Sequence, residues 1–82
     1  MSSLSPAALT IANRFEAVAA DAMDGAPYEG AIGTLVREVQ AGTLAGDVRN
    51  ALLLMAGWIE ESDGSGRFAV KVAILRDAAA RL

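Results

Sequence analysis

The sequence predicts an all-α fold, a small antiparallel four-helix bundle that forms a single domain over residues 1–82. Apolar residues recur every three or four positions through most of the chain, which is the spacing of one face of an α-helix. Turns that contain glycine divide the periodic segments into four helices, predicted near residues 6–24, 28–41, 47–62 and 67–81. A chain of 82 residues has room for one hydrophobic core but not for two.

The first helix follows a loose end at Met1–Leu4 and has clear signals at both ends. Ser5 is placed to cap it, and Pro6 occupies the first helical position, where a missing backbone N–H is tolerated. Gly25 and Pro27 should stop it. The apolar seam predicted to face the core is Leu4, Ala8, Ile11, Phe15, Val18 and Ala22, with Ala12 and Ala19 beside it.

The second helix is predicted to bury one side and to end at Gly42. Gly30 and Gly33 weaken its first turn, because glycine in a helix interior is less favourable than alanine by about 1 kcal/mol. The buried side should comprise Tyr28, Ile32, Leu35, Val36 and Val39.

The third helix contains the most apolar stretch of the chain, residues 51–59, which has no polar side chain. Asp47 is expected to cap the helix and to complement its positive end. Helical geometry assigns one face to the core, namely Val48, Ala51, Leu52, Met55 and Ile59. Leu53, Leu54 and Trp58 then lie outside that face. The chain has too few other elements to surround this helix, so we expect these three residues to meet a partner.

The end of the third helix is acidic, with Glu60, Glu61 and the nearby Asp63. Negative charge is unfavourable at the negative end of the helix dipole. One interpretation is a solvated helix end relieved by Arg67; the other is an acidic rim beside Trp58 that contacts a basic partner.

The fourth segment has two periodicities. Alternating apolar residues from Phe68 to Ile74 suit a strand, whereas a longer three-and-four pattern that continues into an alanine-rich tail suits a helix. We predict the helix, since alanine is depleted in strands. On it, Val70 and Ile74 should fall outside the core beside Arg67 and Lys71, and form a mixed apolar and basic surface.

The composition argues against catalysis and metal binding. The chain has no cysteine and no histidine, and therefore lacks the usual general base, the thiolate nucleophile and the commonest metal ligand. The turn at residues 63–66 resembles a phosphate or calcium loop only in its glycines, because it lacks their remaining required residues. We expect no catalytic residue, no metal site and no cofactor.

The favoured function is protein–protein binding by a regulator, inhibitor or adaptor, most simply as a homodimer. The expected binding residues are Leu53, Leu54 and Trp58 as apolar anchors, Glu60 and Glu61 as an acidic rim, and Arg67, Val70, Lys71 and Ile74 as a second surface. The abundance of alanine and of arginine over lysine suits a GC-rich bacterial or phage genome, and an inhibitor of a host system is one form of this hypothesis.

Two alternatives stay open. A helix-turn-helix DNA-binding regulator or antitoxin would use the second and third helices around Gly42, but its recognition helix would carry Arg49 as its one cation, and the net charge is −3. A structural or secretion-related subunit that self-assembles would use the same apolar surface in an open contact. We expect a cytoplasmic protein, because no leader sequence is recognisable and residues 51–59 are too short to span a membrane.

Overall fold

The computed structural model describes residues 5–82, and these form the predicted all-α four-helix bundle. The helices are α1 (Pro6–Met23), α2 (Glu29–Gln40), α3 (Ala45–Ser62) and α4 (Ala69–Ala80). The ambiguity of the last segment is thus settled as a helix. The predicted loose end at Met1–Leu4, and with it the contribution of Leu4 to the first seam, lies outside the described residues.

The predicted ends of α1 are confirmed. The Ser5 hydroxyl oxygen accepts a hydrogen bond of 3.0 Å from the backbone N–H of Ala8, and Pro6 occupies the first helical position. Gly25 adopts a φ of 93°, a left-handed conformation that terminates the helix and that other residues rarely adopt.

Helix α2 begins one residue later than predicted, and the starts of α3 and α4 each differ from the prediction by two residues. Helix α3 begins at Ala45, so Asp47 lies in its first turn and does not cap it; its charge still complements the positive end of the helix. Helix α4 begins at Ala69, later than expected, because Arg67 and Phe68 belong to the turn that precedes it.

The core is formed mainly where α1, α3 and α4 pack against one another. Helix α2 contributes one buried side and packs lightly against α1 and α3. The side-chain amide of Gln40 donates a 3.0 Å hydrogen bond to the Arg81 carbonyl, which joins the C-terminal ends of α2 and α4. The largest fully buried side chains are Phe15, Val48, Leu52 and Leu75.

The buried row of α1 is rotated relative to the predicted seam. Ala12 and Ala19, expected beside the seam, are fully buried, whereas Ile11 and Val18 are only partly buried. Small alanine side chains let the neighbouring helices approach α1 closely, so they occupy the centre of its contact face. A prediction from periodicity alone favours the larger apolar residues as the buried ones.

Ile74 corrects the prediction for α4. It was expected outside the core, but only 6% of it is exposed. Helix α4 packs against both α1 and α3, so its buried arc is wider than a single seam and includes Ile74 together with Ala78. The second surface proposed from the sequence therefore loses one of its two apolar members.

Candidate protein-binding face of helix α3

The outer side of α3 exposes three large apolar side chains. The exposed fractions are 47% for Leu53, 43% for Leu54 and 60% for Trp58. Leu54 and Trp58 are four residues apart and lie on the same side of the helix. Leu53 is rotated by about 100° from Leu54 around the helix axis. All three residues predicted as apolar anchors are thus exposed on α3, and together we call them the α3 patch.

The predicted core side of the same helix is largely confirmed. Val48, Ala51 and Leu52 are buried, and Met55 and Ile59 are partly buried against the core. Leucine, methionine and alanine are strong helix formers, which explains why so apolar a segment is helical. One side of α3 packs into the core of the monomer, and the other side is exposed to solvent or to a partner.

Gly57 forms a notch beside the α3 patch. It lies four residues after Leu53, and a Cβ atom built on it would have no heavy atom within 4 Å outside its own helix and chain neighbours. Glycine at this helix-interior position is less favourable than alanine by about 1 kcal/mol. No contact within the described residues requires that space, so nothing in the monomer explains the glycine.

A groove of about 290 Å³ borders the α3 patch. We call it the Trp58 groove; it is lined by Trp58, Ile59, Ser62, Phe68 and Lys71. The Lys71 ammonium lies 3.7 Å from a Glu16 carboxylate oxygen, and only 15% of the Lys71 side chain is exposed. Lys71 therefore supports the wall of this groove and is not a freely solvated cation.

Of the two residues predicted as the acidic rim, Glu60 forms an ion pair with Arg76 and Glu61 does not. Arg76 donates two hydrogen bonds to Glu60, of 2.9 and 3.0 Å, in a bidentate arrangement. These hydrogen bonds and the attraction of the guanidinium lower the pKa of Glu60 and raise the pKa of Arg76. Glu61 is exposed and makes no ion pair with any of residues 5–82. Of the two predicted rim residues, only Glu61 therefore carries a charge that is not paired within residues 5–82.

Asp63 organises the turn between α3 and α4. Its carboxylate accepts hydrogen bonds from the backbone N–H groups of Phe68, at 2.8 Å, and Arg67, at 3.1 Å, and from the Ser65 hydroxyl, at 3.2 Å. The bond from Phe68 is the main cause of a lowered pKa for Asp63. The turn also uses Gly66 at a φ of 74°. The charge of Asp63 is therefore used in capping the turn before α4, which periodicity did not reveal.

The second surface predicted from the sequence is dispersed in the structure. Val70 is 53% exposed, whereas Ile74 is buried and Lys71 lines the Trp58 groove. The Arg67 guanidinium lies over the Phe68 ring, 5.6 Å from its centroid. Of these residues, the structure brings only Lys71 to the groove beside Trp58.

Two members of the site were missed by the sequence. Phe68 falls within the predicted fourth helix, but in the structure it precedes that helix and lines the Trp58 groove. Gly57 was read only as part of the apolar run. Its position inside an otherwise strongly helix-forming segment was the available signal, since glycine there is less favourable than alanine by about 1 kcal/mol.

Neither a metal centre nor a membrane-spanning helix was found within residues 5–82. No group of three or more acidic, histidine or cysteine side chains is placed to hold a metal ion. No helix in the same range has the length and apolar content needed to cross a bilayer.

Comparison of the chain with protein-family models, with curated proteins and with solved structures gave no significant match.

Proposed function

We propose that this protein is a non-enzymatic binding protein that acts through the α3 patch, and that its first partner is a second copy of itself. The observation that carries the proposal is the 60% exposure of Trp58 on a helix that also leaves Leu53 and Leu54 nearly half exposed. Large apolar patches on small proteins commonly mark interaction surfaces. Roles as a regulator, inhibitor or adaptor are compatible with such a protein, as is a cytoplasmic location for a chain without cysteine.

Trp58 has the properties of a dominant contact residue. Tryptophan is enriched among the few residues that carry most of the binding free energy of an interface, and truncating such a residue typically weakens binding by at least about 2 kcal/mol. In a symmetric dimer each substitution is present twice, so Trp58→Ala should weaken dimerisation by about 4 kcal/mol, or roughly a thousandfold in Kd.

The test is the solution mass, measured by light scattering on a sizing column over a range of protein concentrations. We expect a mass of two chains that declines towards one chain on dilution. Trp58 is the sole tryptophan, so its fluorescence should shift to the red over the same dilution, as the indole becomes exposed to water. A single chain at every concentration would contradict the proposal.

The substitutions separate binding from folding. Trp58→Ala and Leu54→Ala should give monomers with a helical circular dichroism spectrum. Val70→Ala is the matched control, because Val70 is similarly exposed but lies on α4 and does not line the Trp58 groove, and it should leave the dimer intact. Loss of helical structure in both α3 variants would show that these side chains serve the core of the monomer, which would also contradict the proposal.

A further inference from the structure

We infer that α3 pairs with α3 of the second copy in antiparallel orientation, around a twofold axis that passes between the two helices at the level of residue 55 along α3. This inference rests on the proposed function and specifies its interface. It is carried by a row of four residues spaced four apart on the outer side of α3, which we call the α3 row: Arg49, Leu53, Gly57 and Glu61. Residues four apart follow one ridge along a helix, displaced by about 40° at each step.

The charges at the ends of the α3 row are complementary only between antiparallel copies. Arg49 and Glu61 are both exposed, and neither makes an ion pair with another of residues 5–82. They are twelve residues apart, or about 18 Å along the helix, so they do not reach each other within one chain. An antiparallel partner places its glutamate opposite Arg49 and its arginine opposite Glu61, whereas a parallel partner would place like charges together.

The shapes in the middle of the α3 row are complementary in the same register. The twofold axis that pairs position 49 with position 61 also pairs position 53 with position 57. The half-exposed Leu53 side chain of one copy then faces the Gly57 notch of the other. The notch lies between Leu54, three residues before Gly57, and Glu60, three residues after it. The leucine therefore enters a hole of the kind found between packed helices.

This double complementarity identifies a second copy as the occupant of the α3 row, which includes Leu53 of the α3 patch. A twofold interface requires one surface to match itself, with residue i meeting residue j and residue j meeting residue i. The α3 row meets this requirement twice, once in charge and once in shape. A single pair of crossing helices buries less area than the roughly 1,600 Å² of a typical stable complex, so we expect a Kd in the micromolar range.

Charge reversal tests the pairing. Arg49→Glu and Glu61→Arg should each weaken the dimer about tenfold or more, because each places like charges together at two symmetric positions. The double variant exchanges the two signs and should return the Kd to within about threefold of the original value. Both single changes suit the helix dipole, so a weaker dimer would not result from a weaker helix. Arg37→Glu, an equal charge change at an exposed position in the last turn of α2, is the control for charge and should leave the Kd unchanged.

A substitution at Gly57 tests the same antiparallel pairing independently of the charges. Gly57→Leu should fill the space that receives Leu53 and weaken the dimer about tenfold or more. Gly46→Leu is the matched control: Gly46 lies on the same helix and also has open space around it, but in this register it faces a position beyond the end of the partner helix.

The outcomes distinguish the inference from the proposed function. A wild-type chain that stays monomeric overturns both. A wild-type dimer with a double charge variant as weak as the single variants overturns the antiparallel α3 pairing alone, as does a Gly57→Leu dimer of unchanged affinity.

Discussion

Replacing Ile74 by alanine is expected to lower the free energy of unfolding by about 3 kcal/mol, while Val70→Ala, one turn earlier on α4, should change it by less than about 0.5 kcal/mol. From the sequence, both residues were expected to lie outside the core. The structure separates them, with 6% of Ile74 and 53% of Val70 exposed.

The magnitudes follow from burial. Ile74→Ala removes three buried carbon atoms at about 0.8 kcal/mol each, and the cavity that they leave adds to this loss, within a usual range of about 2–5 kcal/mol. Val70→Ala removes two carbon atoms that are half in contact with water already. The higher helix propensity of alanine offsets that smaller loss.

Urea unfolding followed by far-UV circular dichroism, at one fixed protein concentration, measures both effects. With a denaturant dependence of about 1.5 kcal/mol per molar urea, the midpoint should fall by about 2 M for Ile74→Ala and hardly at all for Val70→Ala. Ile74→Val, with an expected loss of about 1 kcal/mol, keeps the comparison measurable if the alanine variant is unfolded. Equal midpoints for Ile74→Ala and Val70→Ala would refute an orientation of α4 that buries Ile74 and exposes Val70.

Three further predictions concern the caps and the surface ion pair. Ser5→Ala should lower the free energy of unfolding by about 1 kcal/mol, seen as a lower urea midpoint, because the N-terminal cap of α1 is lost; Ser5→Thr should retain most of it. Asp63→Ala should lower the Tm at neutral pH. The folded pKa of Asp63 lies below its ordinary value of 3.8, so its stabilisation is full above that value and is lost as pH falls through the folded pKa; the Tm difference from wild type should therefore shrink in acid, and a constant difference would contradict this. Glu60→Gln should lower the Tm slightly at low salt and not at about 1 M NaCl, because its ion pair with Arg76 is exposed and screened; a large loss that persists in salt would show a structural role beyond the ion pair.

The fold was largely predictable because its signals are local. The Ser5 cap, the Gly25 stop and the three-and-four spacing of apolar residues each depend on a few neighbouring positions, and the structure confirms all three. The α3 patch was predictable for a different reason. A segment of nine residues without a polar side chain exceeds what one face of a helix can bury, so an excess had to remain outside the core.

The errors concern residues whose role depends on distant parts of the chain. Glu60 was assigned to a free acidic rim, but its partner Arg76 is sixteen residues away and meets it only because α4 folds back beside α3. Lys71 was placed on a separate surface, but Glu16 and the walls of the Trp58 groove come from other elements. Charge and periodicity do not specify such partners.

Four helices, their approximate limits and the excess of apolar surface on α3 could therefore be predicted before the fold was known, because caps, turns and helical periodicity are properties of short segments. The tertiary structure decided the rotation of each helix, and with it which apolar residues are buried and which charges are paired. Ile74 shows the physical reason: whether a side chain is covered depends on how many helices pack around its own, and α4 packs against two.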